Sequence, residues 1–342
     1  MKRYAFAAAV IAAGLIGISQ SAHAAGTLDK VRAAGTLHCG VVTEENDYTT
    51  SDTHGGVFDL GAELCKAVSV ATLGARAGAD LVNFPDEETA LKALAAGQID
   101  LVATASPTPT HAATYHVSFG PTILVDGQSV MVRKDKGITS LRDLAGKQVC
   151  FIGNTEAETQ LFAVLKRQNI TVIRFPWQEI GEMDAGLTSG HCAAVTGDIS
   201  SLAKQRAAFH GQKQDFTILP TMITMDPVAP AVRQDDPAWA NIVTWTVNVL
   251  LQAEASGITQ ANVTVMRKTS DDPTVQRLLG GDKALARDLG LADDWAANVI
   301  AAVGNYGEIY DRVLGSPDAE NLPRGLNALW TNGGLLYPLP LR

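Results

Sequence analysis

The chain has 342 residues, 46% of them hydrophobic and 18% charged, with 27 Lys and Arg against 36 Asp and Glu for a formal charge of −9. This acidic balance, with no basic stripe, excludes nucleic acid as a partner, because binding a phosphate backbone needs clustered cations to release its counterions. Single cores stop growing at about 250 to 300 residues, so a chain of this length is expected to form two lobes.

Lys2 and Arg3 precede an apolar stretch from Tyr4 to Ile18 and the small-x-small triplet Ala22-His23-Ala24. This pattern predicts a signal peptide over residues 1–24, cleaved near Ala24. The apolar stretch is short for a bilayer span and no cysteine follows the cut to take a lipid, so release as a soluble protein is expected.

In the remainder, Leu28 to Ala33 reads as a short helix and Thr36 to Val42 as a buried strand, followed by a polar loop to Gly56. A helix is predicted next, N-capped by Asp59, with Leu60, Leu64, Ala67, Val68 and Ala71 on one face. Ala79 to Phe84 is a strand, Asp86 to Ala96 a helix closed by Gly97, and Ile99 to Thr104 a third strand. The alternation recurs as strand Gln148–Ile152, helix Glu156–Gln168, strand Thr171–Phe175, helix Glu182–Ser189 and strand Ala193–Gly197.

Two such blocks predict an α/β protein of two doubly wound lobes. Crossovers near Thr122 to Gly127 and Pro220 to Pro230 form a two-crossing hinge. The expected division is 25–124 with 230–342 as lobe 1 and 125–229 as lobe 2. Beyond Asp236 a helical C-terminal extension is predicted over Trp239–Ser256, Asn262–Lys268, Thr274–Leu279, Ala292–Val313 and Gly325–Thr331, wrapped on lobe 1. In open parallel sheets ligands sit beyond the carboxyl ends of the strands, so two facing lobes enclose a shared site.

Four cysteines remain, Cys39, Cys65, Cys150 and Cys192. An even count in an exported chain indicates two disulfides, and the layout favours Cys39 with Cys65 and Cys150 with Cys192, each pair within one half of the early chain. No Cys-x-x-Cys, Gly-x-Ser-x-Gly, phosphate loop or His-Glu-x-x-His is present, so neither a metal, a cofactor nor an enzyme activity is expected.

Segments LDKVRAAGTLHCGV, LVDGQSVMVRK, PVAPAVRQDD, GITQANV, AVGNYGEIYDR and RGLNALWTNGGLLYPLPLR, in this order, resemble the general L-amino-acid-binding proteins of polar amino acid ABC transporters. The resemblance spans nearly the whole mature chain and includes all four cysteines. It implies a type II periplasmic solute-binding fold, a periplasmic monomer closing over a small polar ligand such as an amino acid, and delivery to an inner-membrane ABC permease.

Among site residues, Asp198 matches the ammonium-binding aspartate of the family, and also suits a cap for the helix that follows. Thr155, between a strand and a helix, matches a ligand-contacting threonine; its amides stand at the positive end of that helix, where a carboxylate is stabilised, yet a capping box with Glu158 explains it equally well. Thr104, Ser106 and Thr108 lie in the threonine-rich loop of lobe 1. There the family continues into an arginine that forks onto the ligand carboxylate, whereas this chain has Ala112, or Ala113 on a shifted register, and no Lys or Arg from Ala93 to Val132. In the opening loop Tyr48 holds the aromatic position beside Glu44, Glu45 and Asp47, an arrangement suited to a cation. Gly61 stands where relatives carry an acid, with an effect expected on lobe structure alone.

Two ligand readings follow: an amino acid whose carboxylate rests on hydroxyls, amides and His111, or a cationic or neutral ligand without that carboxylate. The same scaffold used as an enzyme or signalling input, with Glu45 and Asp198 as an acid-base pair, is the alternative from another class. A degenerate protein that binds nothing is the third.

Overall fold

The computed structural model describes residues 26–42, 56–75, 77–209, 211–281 and 283–341. The leader segment and the loop carrying Glu45 and Tyr48 lie outside them. In chain order the first block runs α1 (Thr27–Ala34), β1 (Leu37–Val42), α2 (Val57–Leu73), β2 (Ala79–Phe84), α3 (Glu87–Ala95), β3 (Leu101–Ala105), α4 (Pro109–Tyr115), β4 (Val117–Phe119) and β5 (Leu124–Asp126). The second runs β6 (Gln128–Arg133), β7 (Gln148–Ile152), α5 (Glu156–Arg167), β8 (Ile173–Trp177), α6 (Ile180–Ser189), β9 (Ala194–Asp198), α7 (Ile199–Ala208) and β10 (Phe216–Ile218). The return strand β11 (Asp226–Arg233) precedes α8 (Pro237–Ala255), α9 (Val263–Thr269), α10 (Pro273–Leu278), α11 (Ala284–Asp288), α12 (Trp295–Val303) and α13 (Tyr306–Tyr310).

Two sheets result, of order β2-β1-β3-β11-β4 with β5 added on β11, and β10-β6-β9-β7-β8. Each holds three parallel strands, β2-β1-β3 and β8-β7-β9, followed by one antiparallel strand. That antiparallel strand is exchanged between the halves. β6 reaches the second sheet directly from the first block, and β11 returns to the first sheet after the second is complete. The hinge is the ribbon where β5 and β11 pair antiparallel, Asp126 opposite Asp226 and Leu124 opposite Val228.

Each sheet is apolar on both faces, as a parallel sheet covered by helices must be. In the first, α2, α8 and α12 bury one face with Leu64, Val68, Val247 and Ile300, while α3 covers the other with Ala90, Leu91 and Leu94. In the second, Leu161 and Leu165 of α5 cover one face and Met183, Leu187 and Leu202 of α6 and α7 the other. Both disulfides close inside these layers: Cys39 of β1 bonds Cys65 of α2, and Cys150 of β7 bonds Cys192 just before β9. Gly61 lets α2 approach the sheet closely, since a Cβ there would lie 3.3 Å from both Ala103 and Thr104.

Some boundaries differ from expectation. α2 starts at Val57 with Gly56 at the N-cap, so Asp59 sits inside the first turn instead of capping it. The single helix expected over Ala292–Val313 is two, broken at Gly304 (φ +84°) and restarted by a capping box between Asn305 and Glu308. In place of the helix expected over Gly325–Thr331 stand two short 3₁₀ turns, Gly325–Asn327 and Trp330–Asn332, separated by the extended backbone of Ala328 and Leu329.

The extension touches more than lobe 1. The Asn327 amide bonds both the N–H and C=O of Val125, and the Tyr306 hydroxyl donates to the Ile123 carbonyl, so the first hinge crossing is held from outside. The Arg206 guanidinium of α7 donates to the carbonyls of Glu320 and Asn321, carrying the extension onto the second half.

Candidate ligand site at the strand ends

On the second sheet β7 and β9 are parallel neighbours, so the chain leaves them side by side at 153–155 and 198–200. Thr155 is the N-cap of α5. Its hydroxyl accepts the Glu158 N–H at 3.2 Å and donates to the Ile152 carbonyl at 2.8 Å, which commits the side chain to the cap. The Glu158 carboxylate completes the turn from the other side, but on the N–H of Asn154 (2.9 Å) and on Arg174 (2.6 Å) instead of on Thr155. An anion at this rim would therefore meet the N–H groups of the first helical turn and the positive end of the helix dipole. Buried Gln128 fixes that turn, donating from Nε2 to the Ala157 carbonyl (2.7 Å) and the Thr196 hydroxyl (2.8 Å).

Asp198 ends β9 opposite Gln128 and occupies the N-cap position of α7, yet its side chain makes no cap bond. The cap comes from the hinge ribbon itself. Asp126 accepts the N–H of Ser200 at 3.2 Å, the N–H of Gly127 at 2.9 Å and the Ser200 hydroxyl. Burial raises the Asp126 carboxyl above its ordinary value, and these donors pull it back. The cap role considered for Asp198 thus belongs to Asp126, and the Asp198 side chain is exposed at the rim.

On the first sheet, Thr104 is buried at the end of β3 with its methyl toward α2. Thr108 caps α4, its hydroxyl accepting the His111 N–H at 3.1 Å. Ser106 is engaged by Glu87, the first residue of α3: its N–H donates to Oε1 at 2.7 Å and its hydroxyl to Oε2 at 2.8 Å. Nδ1 of His111 lies 3.1 Å from both Glu87 Oε1 and the Ser106 carbonyl. Both partners are acceptors, so Nδ1 carries the proton. Ala112 sits in α4 with no charge to offer. Glu87 was not among the residues singled out from the sequence; the signal available was its place in the first turn after a strand end, the same position that drew attention to Thr155.

Glu45 and Tyr48 lie outside the described residues, and the structure places neither. A cavity of about 310 Å³ lined by Ala95, Tyr115, His116, Arg233, Gln234 and Asp235 lies at the opposite end of lobe 1, away from these rims. Its Arg233 is already engaged with Thr27 (3.0 Å) and Asp235 (3.4 Å).

Comparison with known proteins agrees with this architecture. Residues 78–230 match the family described as NMT1/THI5 like. The chain is 37% identical over 98% of its length to the general L-amino acid-binding periplasmic protein AapJ of Rhizobium johnstonii, covering 98% of that protein. It is 35% identical over its full length to the glutamate/glutamine/aspartate/asparagine-binding protein BztA of Rhodobacter capsulatus, all of which it covers. A periplasmic binding protein of an ABC transporter from Brucella ovis, solved with glutathione bound, superposes with a TM-score of 0.76 at 34% identity, over 93% of this chain and 100% of that one. Among the described residues no helix is long and apolar enough to cross a membrane. With more than a third of its residues identical over the full length of two such relatives, and its fold superposing on a solved periplasmic binding protein, the chain belongs to the periplasmic amino-acid-binding proteins of ABC transporters.

Proposed function

We propose that the chain is exported, cut near Ala24, and works in the periplasm as a monomer that takes an amino acid or related small polar solute between its lobes and delivers it to an inner-membrane permease. The lobes are 25–124 with 230–342, and 125–229. Asp198 receives the ligand ammonium, and the first-turn amides of α5, positioned by Thr155, face its polar end. The observation that carries this reading is the rim itself: an exposed carboxylate that ends β9 without capping α7, beside an anion-favouring helix start on the adjacent strand. The full-length relatives named for amino-acid binding support the ligand class, and the Brucella ovis protein widens it to amino-acid conjugates. The role proposed is that of a carrier and not an enzyme, which the relatives named as binding proteins support.

A thermal-shift screen of amino acids, their amides, small amines and glutathione tests the reading. A ligand present at a hundred times its dissociation constant stabilises by about 2.7 kcal/mol, a shift of several degrees. At least one hit, lost in Asp198→Asn, is expected. A screen without hits, or a hit indifferent to Asp198, defeats the proposal, and chemical turnover of a hit defeats the carrier role.

A further inference from the structure

The rim of lobe 1 carries an occupant of its own. A bound carboxylate requires donors, and at a strand end these are backbone N–H groups, hydroxyls or a cation. In the segment after β3 most such donors are absent or spent. Pro107 and Pro109 have no N–H, the Thr108 N–H goes to the Ser106 carbonyl at 2.8 Å, and those of His111 and Ala112 go back to Thr108. The Ser106 N–H and hydroxyl both point at Glu87, and the protonated Nδ1 of His111 joins them. From Ala93 to Val132 the sequence supplies neither Lys nor Arg.

Glu87 therefore receives a backbone amide, a hydroxyl and an imidazole N–H, the set that a ligand carboxylate would use. We infer that Glu87 is a specificity-determining residue: it fills the carboxylate seat of lobe 1 from within the chain, so that lobe 1 meets its ligand with negative charge. The inference rests on the binding site proposed above and narrows its ligand class. A solute presenting an ammonium or amide N–H to lobe 1 is accepted, and a free carboxylate there faces like charge at close range and finds neither a cation nor the donors that Glu87 has taken. The preferred ligands are amines and amino-acid amides over the corresponding free acids. Ligands of this class can still place an ammonium on Asp198, so the two rims recognise opposite ends of one cationic molecule.

The test is isothermal titration of the full chain with matched pairs, each amino acid beside its carboxamide. In the unaltered protein the amide of the best pair binds at least tenfold more tightly than the acid. Glu87→Gln keeps the shape and removes the charge, and Glu87→Ala empties the seat. Both variants, checked for folding by circular dichroism, shift the acid-to-amide affinity ratio toward the acid by tenfold or more. Free acids that bind the unaltered protein as tightly as their amides, or a ratio unmoved by either variant, overturn the inference while leaving the carrier reading intact. If neither acids, amides nor amines bind, both fall together.

Discussion

Gly127 stands where the chain passes from β5 into β6, with φ at +153°, and a Cβ there would lie 2.2 Å from the Thr224 carbonyl oxygen. That oxygen belongs to the other crossing, and the two crossings are tied by the Thr224 hydroxyl on the Gln128 N–H (2.9 Å), so neither can retreat easily. Gly127→Ala is expected to cost about 2 to 3 kcal/mol, read as a lowered urea midpoint with an unchanged slope. What the sequence reveals at this scale depends on how local the cause is. Thr155 was legible because a cap is written within four residues. The roles of Asp126 and Glu87 were not, because Asp126 caps a helix 74 residues away and Glu87 takes donors 19 residues on.

The strands and the long helices could be read directly, since buried parallel strands are continuous apolar runs and α2, α5 and α8 carry helical spacing. α4 escaped because it buries no side chain and so has no apolar period, although Thr108 at its N-cap and Pro109 in its first turn are start signals in retrospect. The break between α12 and α13 was spelled out as Gly304 followed by an Asn305–Glu308 box, but the apolar residues on either side concealed it. The cysteine layout pointed to the pairing seen. The Cys150–Cys192 bond closes a sequence separation of 42. Replacing Cys150 and Cys192 by serine should cost about 3 to 4 kcal/mol by loop entropy, measured as a lower melting temperature without reducing agent, while the Cys39–Cys65 bond stays intact. The bond also supports α6, where a Cβ on Gly186 would come within 2.7 Å of the Cys192 sulfur.

Across the molecule, two buried acids make stability depend on pH. Burial pushes Asp184 up to about 7 and Glu320 up to about 8, and neither Glu320 oxygen has a hydrogen-bond partner among the described residues. Both carboxyls titrate lower in the unfolded chain, so the native state holds their protons longer. Their contribution is complete below about pH 4 and is lost as pH rises past 8. The buried Asp126 is shifted in the same direction. From pH 5 to 8.5 each of the two acids should cost the chain about 2 to 4 kcal/mol, and the pair Asp184→Asn with Glu320→Gln should flatten the profile in denaturant titrations. The exchange of β6 and β11 has a consequence for biogenesis as well. As the polypeptide emerges from its N-terminus, α1 to β5 wait unfinished, because β11, α8 and α12 lie at the far end of the message. Residues 130–223, which supply both cores of the second sheet, can condense first. The early segments thus stay unconsolidated until nearly the whole chain has been made, open to chaperones and proteases for longer than the second sheet.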